Sequence, residues 1–501
     1  MNLYLIGHDY RYAAEQMLLT LFPDERPEYP DGRPTGDRAE LRLMSGTKVT
    51  TVTCVLVYHG QTANGRTSVP NGELTDPAET DRRLQGAVKR AFYRAAMGIG
   101  LPRRPWGMLT GVRPGKLMTP LLAQGLNDAQ AARQFERQYD VSPARADLVV
   151  RTAHATLRAM ESLGEKDVCL YVGIPFCPTR CAYCSFVSQS VEKSMALVPE
   201  FLQALAREIA ATAEAVRRAG LRIVSLYIGG GTPTTLSARQ LDALCTQLAA
   251  AFDLSALREF TVEAGRPDTI TADKLQVLRA HRVGRISVNP QTLDDRVLDT
   301  IGRRHTAQDI YNALRLVRET GGFAVNMDLI AGLPGDTPDG FRATLEQVLA
   351  LAPENVTVHT LSRKRGSNLM AQDAPIPDGA AVGEMLDFAG TVLPRAGYAP
   401  YYLYRQKFMS GGFETSAGRG RVRRISTTSA SWRSCAASSP WAAARRRSSC
   451  APTAAGLSGT STPSIPRNTS PISTASVRPR RNWRRFSNEL SSSGDQPPHS
   501  G

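Results

Sequence analysis

The chain has 501 residues, 42% of them hydrophobic, and a formal net charge of +15, which is long enough for two or three domains around a sizeable core. The charge is unevenly placed: residues 415–501 hold 14 Arg, no Lys and 2 acidic residues, whereas the 414 residues before them hold 47 basic and 44 acidic ones. A body so close to neutral has no electrostatic footprint for phosphate backbones, so no nucleic-acid partner is expected.

The first residues, MNLYLIGHDYRYAAEQ, lack a basic region ahead of an apolar stretch, and no run of 18 or more apolar residues occurs. Neither a secretory signal nor a membrane span is expected. With 8 Cys in the whole chain, a disulfide framework is not expected either, and the expected compartment is a reducing cytoplasm.

Residues 1–160 read as a separate α+β unit. Alternating apolar positions in NLYLIGHD predict a strand, a polar Pro/Gly stretch covers 23–38, and KVTTVTCVLVYHG lies in a second strand pair near 40–59. RRLQGAVKRAFYRAAMGI at 81–98 has apolar residues at helical spacing, and PWGMLTGVRPGKL then interrupts the helical pattern with Pro and Gly. From about 168 the pattern is strand, loop, helix, repeated: VCLYVGIP, LRIVSLYIG, EFTVEA, RISVNP, FAVNMDLIAG and NVTVHTLS predict six strands. They are separated by stretches of helical period such as 197–220. Six such units imply a parallel sheet with its reacting groups at the C-terminal strand ends, and this core is placed at 165–400.

Cys177, Cys181 and Cys184 fall within eight residues, in the run that leaves the first of these strands. Three thiolates on one short loop match a 4Fe-4S cubane with one iron left open. Structural zinc asks for four ligands, usually in two separated pairs, and no second pair follows at zinc-ribbon spacing. Cys54, Cys169 and Cys245 lie in apolar contexts and read as core thiols.

The signature C-x3-C-x2-C resembles that of the radical S-adenosylmethionine superfamily. LYVGIPFC, YIGGGTPT and MDLIAGLPGDT resemble the oxygen-independent coproporphyrinogen III oxidase family within it, and PWGMLTGVRPGKLM and TVHTLSRKRGS resemble its coproporphyrinogen dehydrogenase branch, HemZ. The resemblance runs from residue 1 to about 414. It implies a partial (β/α)6 TIM-like barrel binding a 4Fe-4S cluster and one or two S-adenosylmethionine molecules. The implied reaction is conversion of coproporphyrinogen III to protoporphyrinogen IX without oxygen, fed by a donor such as flavodoxin or ferredoxin. A haem chaperone that keeps the cluster domain is the alternative, because Phe186 stands where the oxidase branch has a fourth cysteine, a feature the two readings share.

The same resemblance assigns residues. Tyr171 would lie against the cofactor's sulfonium and Tyr183 near the same molecule; Gly230, Gly231 and Thr232 would meet its methionine end. Glu263, Gln291, Arg303 and Asp328 would hold its ribose, carboxylate and adenine, Arg303 suiting a carboxylate through its planar fork. Taken singly, each is an ordinary aromatic, turn, surface or capping residue. His305 and His359 are expected in packing or surface roles. Arg113, Lys116, Arg363, Lys364 and Arg365 are equally readable as carboxylate ligands of a tetrapyrrole or as solvated positive loops.

Residues 401–414 begin a C-terminal segment, and 415–501 form a low-complexity basic tail with 20 Ser and neither helical nor strand period. It reads either as disordered chain or as the product of a one-nucleotide frameshift just after Glu414: bases for Ser431-Trp432-Arg433, read one nucleotide earlier, encode Met-Glu. Resequencing that stretch of DNA checks the frame. A shift restores an apolar helical repeat, and an unbroken, unshifted frame removes the idea.

Overall fold

The computed structural model describes residues 1–420 apart from 112, 185–188, 363–368, 370–374 and 406–412. Among these, no helix is long and apolar enough to cross a membrane.

The first unit is a four-stranded sheet, β1 (Asn2–Ile6), β2 (Arg38–Ser45), β3 (Val49–Tyr58) and β4 (Gln61–Pro70), in that order. β1 runs parallel to β2; the other neighbours are antiparallel. Val52, Cys54 and Leu56 alternate inward from β3, and the helix Pro77–Gly98 lays Leu84, Val88, Ala91, Phe92 and Ala95 along one face. The helix starts where Asp76 accepts a hydrogen bond from the Glu79 amide at 2.9 Å.

β4 escapes a reading of the sequence because QTANGRTSVP is polar and lacks an apolar repeat. Its signal is the turn: His59 and Gly60 both adopt positive φ, 47° and 78°, as a two-residue hairpin requires. Three further helices, Gly115–Ala123, Asp128–Tyr139 and Pro143–Glu161, share a core containing Trp106, Leu109, Phe135 and Val149.

The second sheet carries the six expected parallel strands: β5 (Asp167–Ile174), β8 (Arg222–Gly230), β9 (Glu259–Glu263), β10 (Arg285–Ser287), β11 (Ala324–Ala331) and β12 (Asn355–Thr360). Between β5 and β8 a two-residue ladder pairs β6 (Phe176–Cys177) with β7 (Gln189–Ser190). Two antiparallel strands, β13 (Ala399–Arg405) and β14 (Glu414–Arg419), extend the sheet past β12 to eight, in the order β13-β14-β12-β11-β10-β9-β8-β5. The ordered chain thus continues through Thr415–Arg419, residues whose composition alone places them in the tail. Ser416, Ala417 and Gly418 are small enough to slot between two strands.

The strands alternate with period two. Phe260, Val262, Ile286, Val325, Met327, Leu329, Val356 and Val358 join the apolar core that also holds the flanking helices' buried residues, such as Leu241, Leu244, Leu314 and Val317. Glu259, Thr261, Glu263, Arg285, Ser287, Asn326, Asp328, Asn355, Thr357 and His359 occupy the intervening positions on the other face. Parallel strands are usually apolar on both faces. This sheet therefore has a polar inner wall.

In the turn after β11, burial pushes the Asp336 carboxyl up to about 6, with the Thr337 amide pulling it down and Asp294 pushing it further up. The native state thus holds this proton more tightly than the unfolded chain, whose value is the ordinary 3.8. The stabilisation is fully present below about pH 4 and is lost as pH rises through 6. Asp336→Asn, which keeps the shape without the charge, is expected to gain about 3 kcal/mol at pH 8 and little at pH 4, read from urea midpoints at the two pH values.

Candidate functional site

The loop after β8 clamps onto the cysteine segment. The Gly231 amide donates to the Ile174 carbonyl and the Thr232 amide to the Phe176 carbonyl, both at 2.7 Å. The Thr232 hydroxyl donates to Cys177 Sγ at 3.6 Å. A Cβ on Gly231 would lie 2.6 Å from the Phe176 oxygen and 3.0 Å from Cys177 Sγ, so only glycine lets the two backbones approach this closely.

Cys181 is buried between two guanidiniums. Arg266 Nη1 lies 3.7 Å from its sulfur and 3.0 Å from Thr179 Oγ1, while Nε and Nη2 pair with Asp268. Burial pushes the Cys181 thiol up, but Arg303, Arg266 and hydrogen bonds from Arg303 and Tyr183 outweigh it and hold it below the usual thiol range. Arg303 also donates to the carbonyls of Asn289, Pro290 and Gly265. The Ala182 amide donates to the Ile301 carbonyl at 3.0 Å and the Cys184 amide to the Cys181 carbonyl at 3.1 Å. The loop is therefore pinned on both sides of Cys181.

A polar group occupies the ends of the neighbouring strands. The rings of Tyr171 and Tyr227 stack with centroids 5.9 Å apart, and the Tyr227 hydroxyl donates to Glu263 Oε1. The Gly230 amide donates to Glu263 Oε2 at 3.2 Å. Asp328 takes hydrogen bonds from Asn289 Nδ2 at 2.9 Å and Asn326 Nδ2 at 2.7 Å, and His359 Nε2 lies 3.7 Å from its Oδ2. Gln291 is held at φ 67° by its amide on the Asp328 carbonyl and its carbonyl on the Ile330 amide. Its side-chain oxygen is buried without a protein partner. A strained glutamine with an orphaned acceptor is a feature of ligand sites.

The structure brings the expected residues into two adjoining groups. Cys177, Cys181, Cys184, Tyr183, Gly231, Thr232 and Arg303 form one; Tyr171, Gly230, Glu263, Gln291 and Asp328 form the other. Tyr183 points its hydroxyl at Cys181. Four contributors lie beyond the sequence reading: Tyr227, Arg266, Asn289 and Asn326. Tyr227 and Asn326 sit at inward positions of an alternating strand, which is a readable signal; Arg266 and Asn289 lie just past strand ends, where position alone marks them.

Cys54 and Cys245 are core thiols, burial pushing Cys245 up to about 12. Cys169 differs from its expected place. It shares the inward face with Tyr171, while Val168 and Leu170 pack against the core. His305 is buried with both ring nitrogens unpartnered, and burial followed by Arg303 and Arg266 drives it down to about 3, so it stays neutral. Arg363, Lys364, Arg365 and Phe186 lie outside the described residues.

Among the described residues no three His, Cys, Asp or Glu side chains converge as a single-ion site. A cubane asks for less convergence, because each thiolate takes its own iron. Three cysteines on one loop, a glycine wall against Cys177 and an orphaned amide oxygen beyond it fit a cluster with a ligand on its open side.

Residues 171–348 match the model of the radical SAM superfamily. For that segment the match implies a 4Fe-4S cluster and S-adenosylmethionine. Over 314 residues it is 38% identical to the oxygen-independent coproporphyrinogen-III oxidase-like protein HemZ of Bacillus subtilis, covering 62% of this chain and 63% of that one. It is 36% identical over 192 residues to the heme chaperone HemW of the same organism, covering 38% and 49%. The solved coproporphyrinogen III oxidase HemN of Escherichia coli, titled a radical SAM enzyme, superposes with a TM-score of 0.43 at 30% identity, over 49% of this chain and 56% of that one. The matches span less than two thirds of each of these proteins.

Gly231→Ala is expected to lower iron and sulfide uptake on anaerobic reconstitution several-fold by pushing Cys177 out of place. Gly390→Ala, in open space on a helix, should leave uptake unchanged. Equal iron content in both variants would contradict the glycine wall.

Proposed function

We propose that this chain catalyses the oxygen-independent oxidative decarboxylation of two propionate side chains of coproporphyrinogen III, giving the vinyl groups of protoporphyrinogen IX. The observation that carries this reading is the joining of a three-cysteine loop to a polar group of side chains at the strand ends, in a chain whose similarity to the HemZ protein reaches beyond the radical SAM domain. When bound, the cluster and S-adenosylmethionine supply one-electron cleavage of a carbon-sulfur bond and abstraction of a hydrogen atom from the propionate β-carbon.

The chain's own residues do the rest. Cys177, Cys181 and Cys184 would hold the cluster, with Arg266 and Arg303 offsetting negative charge at Cys181. Gly230, Gly231 and Thr232 would receive the methionine end of the cofactor. Tyr171, Glu263, Gln291, Arg303 and Asp328 would orient its nucleoside, as one or two molecules. The two asparagines on Asp328 and the tyrosine on Glu263 fix both carboxylates as acceptors, which suits ribose hydroxyls. A pocket preorganised in this way positions a propionate and keeps water from a reactive carbon. A small acidic electron carrier such as flavodoxin or ferredoxin would feed the cluster in the cytoplasm.

The second reading is haem binding and delivery, favoured by two HemW relatives at 36% and 31% identity. Anaerobic incubation of the reconstituted chain with coproporphyrinogen III, S-adenosylmethionine and a reductant separates the two. Vinyl products with matching methionine are expected. Stable haem binding with no product would overturn the oxidase in favour of the carrier.

A further inference from the structure

β9 ends at Glu263, and the chain leaves it through Ala264, Gly265 and Arg266 into the short turn Pro267–Thr269. The Arg266 carbonyl closes that turn, accepting from the Thr269 amide at 3.1 Å and from Thr269 Oγ1 at 2.8 Å. Turn closure uses only the backbone, so the side chain is left for other contacts. Its guanidinium meets the Asp268 carboxylate at two points, Nε on Oδ1 at 3.1 Å and Nη2 on Oδ2 at 3.2 Å. A two-point pair between planar groups fixes the plane of the guanidinium. With that plane fixed, the third nitrogen, Nη1, faces the cysteine loop and donates to Thr179 Oγ1 at 3.0 Å and to Cys181 Sγ at 3.7 Å.

The pair is unequally buried. The Arg266 side chain is 3% exposed, whereas that of Asp268 is 34% exposed. A charge near water is screened and a buried one is not, so the carboxylate does not cancel the guanidinium at the sulfur. Arg303, the other cation at Cys181, rests on the uncharged carbonyls of Asn289 and Gly265. Cations and hydrogen bonds at a cluster's sulfur ligands favour its reduced, more negative state, and thereby raise the potential at which it takes up an electron. A carboxylate behind such a cation opposes that effect.

We propose that Arg266 and Asp268 form an opposed pair that sets the reduction potential of the cluster held by Cys177, Cys181 and Cys184, Arg266 raising it and Asp268 holding it down. Both act through the Cys181 sulfur and are positioning residues. The pair then decides which low-potential electron carriers can reduce the cluster. This rests on the reading of the three cysteines as cluster ligands.

The test is an anaerobic redox titration of the reconstituted full chain, with dithionite supplying one electron per cluster and the reduced cluster counted by its paramagnetic resonance signal. At the poise that half-reduces the wild-type cluster, Arg266→Gln is expected to move the reduced-to-oxidised ratio about tenfold toward oxidised, a potential lower by about 59 mV for a one-electron couple. Asp268→Asn, which keeps an acceptor for the guanidinium and removes the negative charge, should move the ratio severalfold the opposite way. Arg266→Lys, which keeps the charge without the fork, should fall between wild type and Arg266→Gln. Arg315→Gln, which breaks an exposed pair with Glu319 on the helix Ala307–Thr320, should leave the ratio unchanged. The opposite signs are decisive, because a general loosening of the loop would move both variants the same way. A wild-type potential in Arg266→Gln, or shifts of one sign in Arg266→Gln and Asp268→Asn, overturns this inference alone. Where Arg266→Gln holds too little iron to titrate, a wild-type potential in Asp268→Asn overturns it equally. A wild-type chain that takes up no 4Fe-4S cluster overturns the cluster reading, and this inference with it.

Discussion

The structure depends on a parallel sheet whose strands put apolar residues toward a layer of helices and polar residues toward the barrel interior. Burial of the outer face supplies the stabilisation, roughly 25 cal/mol for each Å² of apolar surface removed from water. It leaves the inner face free to carry Glu263, Asp328, Asn326, Thr357 and His359. Polar groups so placed need partners, since an unpaired buried one costs free energy comparable to a lost hydrogen bond. Most find them in one another: Asn326 holds Asp328, Thr357 donates to Asn326 and Tyr227 holds Glu263. The Gln291 side-chain oxygen, on a residue whose amide donates to the Asp328 carbonyl, is left without a protein partner.

The cysteine loop solves a different problem. Thiolates close together repel one another, and burial of Cys181 adds to that cost. The Arg266 and Arg303 guanidiniums compensate by lying against the sulfur, Arg266 also pairing with Asp268 and Arg303 donating through Nη1 and Nη2 to backbone carbonyls. Each arginine is fixed by groups outside the loop, so its position does not depend on what the cysteines hold. Gly231 gives the opposite wall, where two backbones meet without a side chain between them.

The two units are joined by a charged and aromatic contact set among apolar ones, in which Leu403 clusters with Trp106 and Phe135, and Tyr401 and Ala417 with Ala159. Glu414 is buried with Arg145 and Trp106, and Arg405 is stacked on that tryptophan. Such a joint is directional: it permits one docking geometry and penalises others through unpaired charge. That gives it a role distinct from the apolar cluster of Trp106, Leu109, Phe135 and Leu403 beside it, which supplies stability without register.

Much of this was legible from one dimension. The six parallel strands, the cysteine triad and the glycine run are local, set by residue order, by period-two alternation and by the spacing thiolates need, so the chain order alone determined the barrel and the place of the cluster loop. β4 was not legible, because a polar hairpin strand is held by its neighbours' hydrogen bonds rather than by its own pattern. Arg266 at Cys181 and Asn289 at Asp328 were hidden for a related reason: nothing nearby in the chain specifies which strand end will face them. The extension of the sheet by Thr415–Arg419, the inward turn of Cys169 and the burial of Glu414 against Trp106 were likewise decided only by tertiary structure. Each depends on contacts between residues far apart in the chain, and the energy of such contacts comes from excluding water around groups that the linear order does not bring together.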